Sequence, residues 1–228
     1  MKRIGVLHPG EMGVSIAVSA ANSGHEVYWA SQDRSEKTRL RAEKHNLIDA
    51  GSLSRLCQNS EIIFSICPPH SAEDIAKSVI QQGFKGYYLD ANAISPQRAI
   101  RIGEMMESNG IRFIDGGIIG GPAWKPKETL LYLSGKDAQV IADCFSNGQL
   151  ETKIIGDEIG KASALKMCYA AYSKGTTALL AAILGTAESL GVRDELYGQW
   201  DMDDPSFSEM ANRRTTRVTA KAWRFEGE

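Results

Sequence analysis

The chain has 228 residues, 43% of them apolar and 24% charged, with a formal net charge of -2, values ordinary for a globular protein. This balance gives no basic footprint for nucleic acid or an anionic membrane surface. Cys57, Cys67, Cys144 and Cys168 form no C-x-x-C pair, and His8, His25, His45 and His70 show no ligand spacing with them, so no structural metal is expected.

The first element is an apolar run, Ile4-Gly5-Val6-Leu7, stopped at His8-Pro9-Gly10. Directly behind Gly13 comes a small-residue helix pattern with Val14, Ile16, Ala17, Ala20 and Ala21. A strand, a tight turn and a helix N-terminus aim unpaired N–H groups and the positive end of the helix dipole at one point, which suits a pyrophosphate. Gly10 would let the backbone approach the anion, and Gly13 would let helix and strand pack closely. In the G-x-G-x-x-G frame of dinucleotide-binding turns the first glycine is His8. His8, Pro9, Gly10, Glu11, Met12 and Gly13 are therefore the candidate cofactor loop, and an ordinary βα turn is the competing reading. His8 is expected in a strand-end conformation, with the pyrophosphate on the N–H groups after Pro9.

Asn22-Ser23-Gly24 stops the first helix, and residues 25–30 form a second strand. An NAD site usually ends this strand with an acidic residue that binds the ribose 2′-hydroxyl, whereas here the tip reads Ser31-Gln32-Asp33-Arg34-Ser35. Arg34 with Ser31 and Ser35 suits a 2′-phosphate, because guanidinium pairs with phosphate in a bidentate way. The balance favours NADP. Asp33 keeps NAD open, and a decorative Arg34 at the start of the helix over 35–44 is the bland alternative.

A short helix over 53–57 leads to a strand over 61–67, ended by Pro68-Pro69, which cannot continue it. A helix follows from residue 70, with Ile75, Ala76, Val79 and Ile80 on one face. The strand over 87–90 runs into Ala91-Asn92, and Ser95-Pro96 opens the next helix as N-cap and first helical residue. After a strand over 111–115, the run Gly116-Gly117-Ile118-Ile119-Gly120-Gly121 reads as a backbone that turns tightly or approaches a ligand, against a flexible connector. A strand over 129–134, a helix over 138–145 and a strand over 152–155 finish this half. The alternation predicts a Rossmann-type doubly wound parallel α/β sheet over 1–156.

Composition shifts at Gly156. Residues 159–190 read as one long helix, roughly 45 Å at about 1.5 Å per residue, with two shorter helices broken at Gly175 as the alternative. Residues 195–199, an acidic turn and a last helix over 207–225 complete a smaller all-helical domain over 157–228. The longest apolar segment, over 178–184, falls far short of the roughly 20 residues that span a bilayer. The N-terminus enters a strand without a secretory pattern. A cytoplasmic chain with reduced thiols, no membrane and no nucleic-acid partner is the expectation.

Together these elements resemble the β-hydroxyacid dehydrogenase superfamily, which includes 3-hydroxyisobutyrate dehydrogenase, 6-phosphogluconate dehydrogenase and the imine reductases. They are most similar to its branch with a C-terminal helical domain of unknown function. The family's cofactor motif G-L-G-x-M-G matches His8-Pro9-Gly10-Glu11-Met12-Gly13, and its Pro-containing loop near the nicotinamide matches Cys67-Pro68-Pro69-His70. Its D-x-S-T-x-S-P segment matches Asp90-Ala91-Asn92-Ala93-Ile94-Ser95-Pro96. The substrate motif D-A-P-V-S-G-G lies over Asp115 to Gly121, with Ile119 where the substrate-binding serine would be. The lysine motif G-x-G-x-x-x-K-x-x-N-N is similar to Gly160 to Ala170, with Lys166 as its lysine and Ala170 in place of its asparagine.

The resemblance implies an NAD(P)-dependent dehydrogenase or reductase acting on a small hydroxyacid, ketone or imine. Lys166 is its general acid or base, and Tyr169 is a weaker alternative donor. Cys67, Pro68, Pro69 and Asn92 are implied at the cofactor, and Ile119, Gly120, Gly121 and Lys125 at the substrate. The resemblance also implies a homodimer paired through C-terminal helices, although this chain ends tens of residues before a typical member. A solvated helix lysine is the bland reading of Lys166. A non-catalytic NADP-binding sensor or interaction protein on the same fold is the alternative for the whole chain.

Overall fold

A computed structural model describes residues 1–219. The chain divides into two compact units, Met1–Lys166 and the residues from Met167 onward.

The first unit holds one sheet of eight strands: β1 (Arg3–Val6), β2 (Glu26–Trp29), β3 (Ile48–Asp49), β4 (Ile62–Ser65), β5 (Tyr87–Asp90), β6 (Arg112–Ile119), β7 (Leu130–Ser134) and β8 (Glu151–Ile154). Their order is β3-β2-β1-β4-β5-β6-β7-β8. Every neighbouring pair is parallel except β6 and β7. The expected Rossmann-type α/β sheet is therefore present, with one antiparallel pair in it. The order reverses between β1 and β4, the switch point at which open α/β sheets bind ligands beyond their carboxyl ends.

Helices α1 (Glu11–Asn22), α2 (Glu36–Lys44), α3 (Leu53–Asn59), α4 (Ala72–Gln81), α5 (Pro96–Ser108) and α6 (Ala138–Ala142) cover the sheet. Successive strand residues feed two different cores, as the period of a strand requires. Ile4, Val6, Ile62, Phe64 and Leu89 pack with Val14 and Ile16 of α1 and Ile141 of α6. Leu7, Ile63 and Tyr88 pack with Leu56 of α3, Val79 of α4 and Ile102 of α5. Burying each such large side chain contributes about 1.5–3 kcal/mol. The helix starts follow local chemistry: the hydroxyl of Ser35 accepts from Thr38 N, that of Ser52 from Arg55 N, and that of Ser95 from Arg98 N, with Pro96 next in line.

The structure adds one strand that the sequence does not announce and relocates one turn. The two-residue β3 has no apolar pattern to announce it, since both of its residues are exposed. The glycines Gly116 and Gly117 lie inside β6 rather than in a turn. Their backbone is paired with Leu133 and Tyr132 of β7, and the turn is confined to the residues after Ile119.

The boundary between the units falls within α7 (Lys161–Ala170). A π-helical turn, Ala171–Gly175, precedes α8 (Thr176–Leu190), α9 (Arg193–Asp203) and α10 (Phe207–Thr219). The single helix expected over 159–190 is thus interrupted by a π turn. The widened turn offers its carbonyls to other groups: Arg214 Nη2 of α10 donates to Tyr172 O at 3.2 Å and Ser173 O at 2.7 Å, and Thr177 Oγ1 donates to Ser173 O at 2.7 Å. Leu180, Leu184 and Ala187 are the buried apolar residues of α8. Trp200 meets Phe207 edge to face at 5.1 Å, joining α9 to α10. The part of the expected last helix beyond residue 219 lies outside the described residues. No helix among the described residues is long and apolar enough to cross a membrane.

Candidate active site

Beyond β1, the N–H of Leu7 donates to Phe64 O at 3.1 Å and holds the chain to β4. His8 keeps a negative φ, as an L-residue prefers. Gly10 N–H then donates to His8 O at 2.8 Å, and Val14 N–H to Gly10 O at 2.9 Å. A Cβ on Gly13 would stand 2.1 Å from His8 O, so only glycine admits this approach of α1 to the loop. No side chain caps α1 at Gly10, and the space around Gly10 is open. The first-turn N–H groups thus form a seat for an anion. Glu11 and Met12 open that turn, with Glu11 exposed.

Two guanidinium groups grip the carbonyls on either side of His8. Arg34 Nη2 donates to Leu7 O at 3.2 Å and Arg41 Nη1 to Pro9 O at 3.3 Å. Asp33, at φ 59°, turns the chain ahead of Arg34. Burial and then the Arg34 charge hold the His8 imidazole down to about 4, so it is neutral at pH 7. His8 Nδ1 and Arg34 Nε are buried with no hydrogen-bond partner among the described residues. Beside them lies a cleft of about 300 Å³ lined by His8, Ala30, Asp33, Arg34, Leu53 and Ile75, among others. Its apolar wall and polar rim suit a flat base and a ribose. Ser31 stands at the same strand tip, its N–H donating to Asp49 Oδ1 at 3.2 Å.

Across the switch point, Cys67 N–H donates to Asn92 Oδ1 at 2.6 Å, and Asn92 Nδ2 donates to Ser65 Oγ at 3.1 Å. Asn92 therefore braces the ends of β4 and β5 with both ends of its amide. Its own N–H donates to Asp90 Oδ1 at 3.0 Å, while Asp90 Oδ2 has no hydrogen-bond partner among the described residues. Burial first, with the neighbouring Asp115 adding to it against the Asn92 bond, pushes the Asp90 carboxyl up to about 7. Burial, then Asp90, drives the Cys67 thiol up to about 12, so it stays protonated and is no nucleophile. The strand expected over 61–67 ends at Ser65, ahead of the prolines, and Pro68 leads into a single 3-10 turn, Pro69–Ser71.

Beyond the carboxyl end of the parallel strands, β6 continues past Asp115, which is paired with Asp90, to Gly117. A Cβ on Gly117 would stand 2.6 Å from Ala162 O and 3.2 Å from Lys166 Cβ. The missing side chain is what lets α7 lie on the strand, and it seats Lys166 there. Lys166 is partly buried, and burial holds its ammonium below the ordinary lysine value.

Tyr169 belongs to the second unit and is nearly half exposed. Ile119 is half-buried, whereas Gly120 and Gly121 are exposed, and Gly121 O accepts from Thr129 Oγ1 at 2.7 Å. Lys125 is exposed and pairs with Glu128 at 3.7 Å. The loop they share is tied to the nucleotide side, with Ala123 N–H on Ser15 Oγ at 2.9 Å and Trp124 stacked on His45 at 5.1 Å. Arg41 escaped the sequence reading, because nothing in α2 shows that it meets Pro9. Asp115 was visible only as the first residue of a matched motif.

Residues 3–146 match the family model described as the NAD binding domain of 6-phosphogluconate dehydrogenase. The chain belongs to this family. The 6-phosphogluconate dehydrogenase-type match begins at the first residue of β1 and ends just beyond α6. An uncharacterized 28.5 kDa protein of Methanothermus fervidus, encoded in a 7S RNA 5′ region, is 32% identical over 194 residues, covering 85% of this chain and 74% of that protein. MTH1747, a conserved protein of unknown function described as structurally similar to 3-hydroxyacid dehydrogenases, superposes with a TM-score of 0.75 at 26% identity, over 98% of this chain and 84% of its own. An imine reductase variant from Myxococcus stipitatus, solved with NAD+, shares the fold at a TM-score of 0.69 and 19% identity, over 97% and 78% of the two chains.

Proposed function

We propose that the chain is an NADP-dependent oxidoreductase that transfers hydride between its cofactor and a small hydroxyacid, ketone or imine, with Lys166 as general acid and base. The observation that carries this reading is Lys166 itself, a desolvated amine seated on Gly117 at the carboxyl end of a sheet of the 6-phosphogluconate dehydrogenase type. The chain's own groups fit a dinucleotide. Gly10 and the first turn of α1 supply an uncapped anion seat, and Arg34 Nε and His8 Nδ1 are buried polar atoms awaiting partners. Arg34 and Ser31 favour a 2′-phosphate, which is why NADP is preferred to NAD. When bound, the nicotinamide supplies or accepts the hydride.

The heteroatom of the substrate needs a proton in the reductive direction, and an ammonium with a lowered pKa gives it up readily. In the oxidative direction the neutral Lys166 amine takes it back. Ile119 and Ala170, in place of two polar residues of similar proteins, support an apolar or imine-like substrate over a hydroxycarboxylate. Gly120, Gly121 and Lys125 are the proposed anchors for its polar end, and Tyr169 is a secondary donor. The proposed protein is cytoplasmic, and exposed Tyr172, Leu179 and Leu190 support a homodimer paired through the second unit, which sedimentation velocity would register as a dimer.

The test is a screen of small ketones and imines for NADPH oxidation with the native chain and Lys166→Ala. Turnover lost by about 10²-fold or more with NADPH binding retained is the expected outcome. A trace rate that Lys166→Ala leaves unchanged would instead favour a non-catalytic nucleotide sensor, a reading motivated by the same Ile119 and Ala170.

A further inference from the structure

We propose that Asp115 is the positioning residue of Lys166, acting through the first turn of α7. The proposal rests on Lys166 being the proton donor. Asp115 is wholly buried at the end of the parallel part of β6, and four donors converge on it. Oδ2 accepts from Ser134 Oγ, Gly160 N and Ser163 N, each at 3.0 Å, and Oδ1 accepts from Ser163 Oγ at 2.5 Å. Ala162 N–H joins the same cluster by donating to Ser134 Oγ at 3.0 Å. The N–H groups that the start of a helix leaves unpaired are thus held by a carboxylate, whose charge also favours the positive end of the helix dipole.

A helix start is ordinarily capped by a Ser, Thr, Asp or Asn of its own chain segment. Here the cap comes from a distant strand, and that strand is also the one on which Lys166 rests. Gly117, two residues along β6 from Asp115, is the point of contact for Ala162 O and Lys166 Cβ. Ser163 and Lys166 are three residues apart, on one side of α7. The face of α7 clamped at Asp115 is therefore the face that carries Lys166. One strand fixes both where the helix begins and where the amine sits, and the depth of the amine sets how far its pKa falls.

The experiment uses the full chain and reads Lys166 directly. Its reactivity toward acetic anhydride is followed by peptide mass spectrometry from about pH 7 to pH 11, in the native protein and in Asp115→Asn. The amide keeps the shape of Asp115 but loses the charge and part of the acceptor capacity. In Asp115→Asn the Lys166 titration moves up toward the ordinary lysine range, turnover falls about 10- to 100-fold, and NADPH affinity changes less than twofold. Should Asp115→Asn not fold, Ser163→Ala, which removes one of the four donors, carries the same expectation in smaller measure. An unchanged Lys166 titration in the folded variant overturns the proposal. Persistence of turnover in Lys166→Ala would defeat the general-acid reading alone, because the labelling profile needs no substrate.

Discussion

His8 stands where dinucleotide-binding turns begin with glycine, and the loop accepts it because its backbone needs no positive φ there. The tight contact is moved to Gly13, which meets His8 O. That His8 replaces a glycine is plain from the chain alone. That its imidazole is half-buried beside Arg34 is not, because the contact joins residues 26 positions apart. A His held at about 4 against about 6.5 in the unfolded chain means the folded state binds fewer protons in that interval. The stability this contributes is fully present above about pH 6.5 and is lost as the pH falls through about 4. Removing the imidazole with His8→Gly is expected to flatten the stability profile between about pH 6.5 and 4 by about 2 kcal/mol, after discounting for partial exposure. Urea unfolding at several pH values checks it, and an acid limb identical to that of the native chain would refute the assignment. Asp90 was equally hidden, since the register of β5 and β6 is what brings Asp115 beside it.

Among the elements, β6 and α7 diverge most from the sequence reading. Periodicity finds strands and helices by apolar spacing, and a glycine pair carries none, so Gly116-Gly117 read as a tight turn or a close approach to a ligand although both lie in a strand. The reason is tertiary: α7 occupies the space a side chain would take at Gly117. The π turn before α8 showed in the sequence only as the alternative break at Gly175, because its freed carbonyls find their partner in Arg214 on α10. Helix starts at Ser35 and Ser95 were legible, since capping is local chemistry. Gly117→Ala is expected to push α7 off the strand. Overpacking of this kind costs about 1–3 kcal/mol, seen as a lower Tm. Turnover should fall more than NADPH affinity, because the nucleotide loop lies elsewhere on the sheet. Equal losses of both would place Lys166 outside the catalytic machinery.

At the scale of the whole molecule, the alternation of strands and helices was enough to read a doubly wound α/β sheet, while the nucleotide came from the loop at His8 to Gly13 and from the family resemblance; the family match over residues 3–146 is to an NAD binding domain. The motif residues were legible at the level of the loop, where His8 to Gly13 follow one another in the chain. Contacts that join separate elements were less so, as with Arg41 of α2 on Pro9 and Asp115 on the start of α7. The proposed function requires this sheet end to bind a reduced nicotinamide dinucleotide through the loop closed by Gly13. Titration with NADPH and NADH, read by cofactor fluorescence and by thermal shift, tests it most directly. Saturable binding is expected, with NADPH tighter than NADH, about 2.7 kcal/mol of added stability at a hundredfold excess over Kd, and loss of both signals in Gly13→Ala. The absence of both a fluorescence change and a shift in Tm with either cofactor would contradict it.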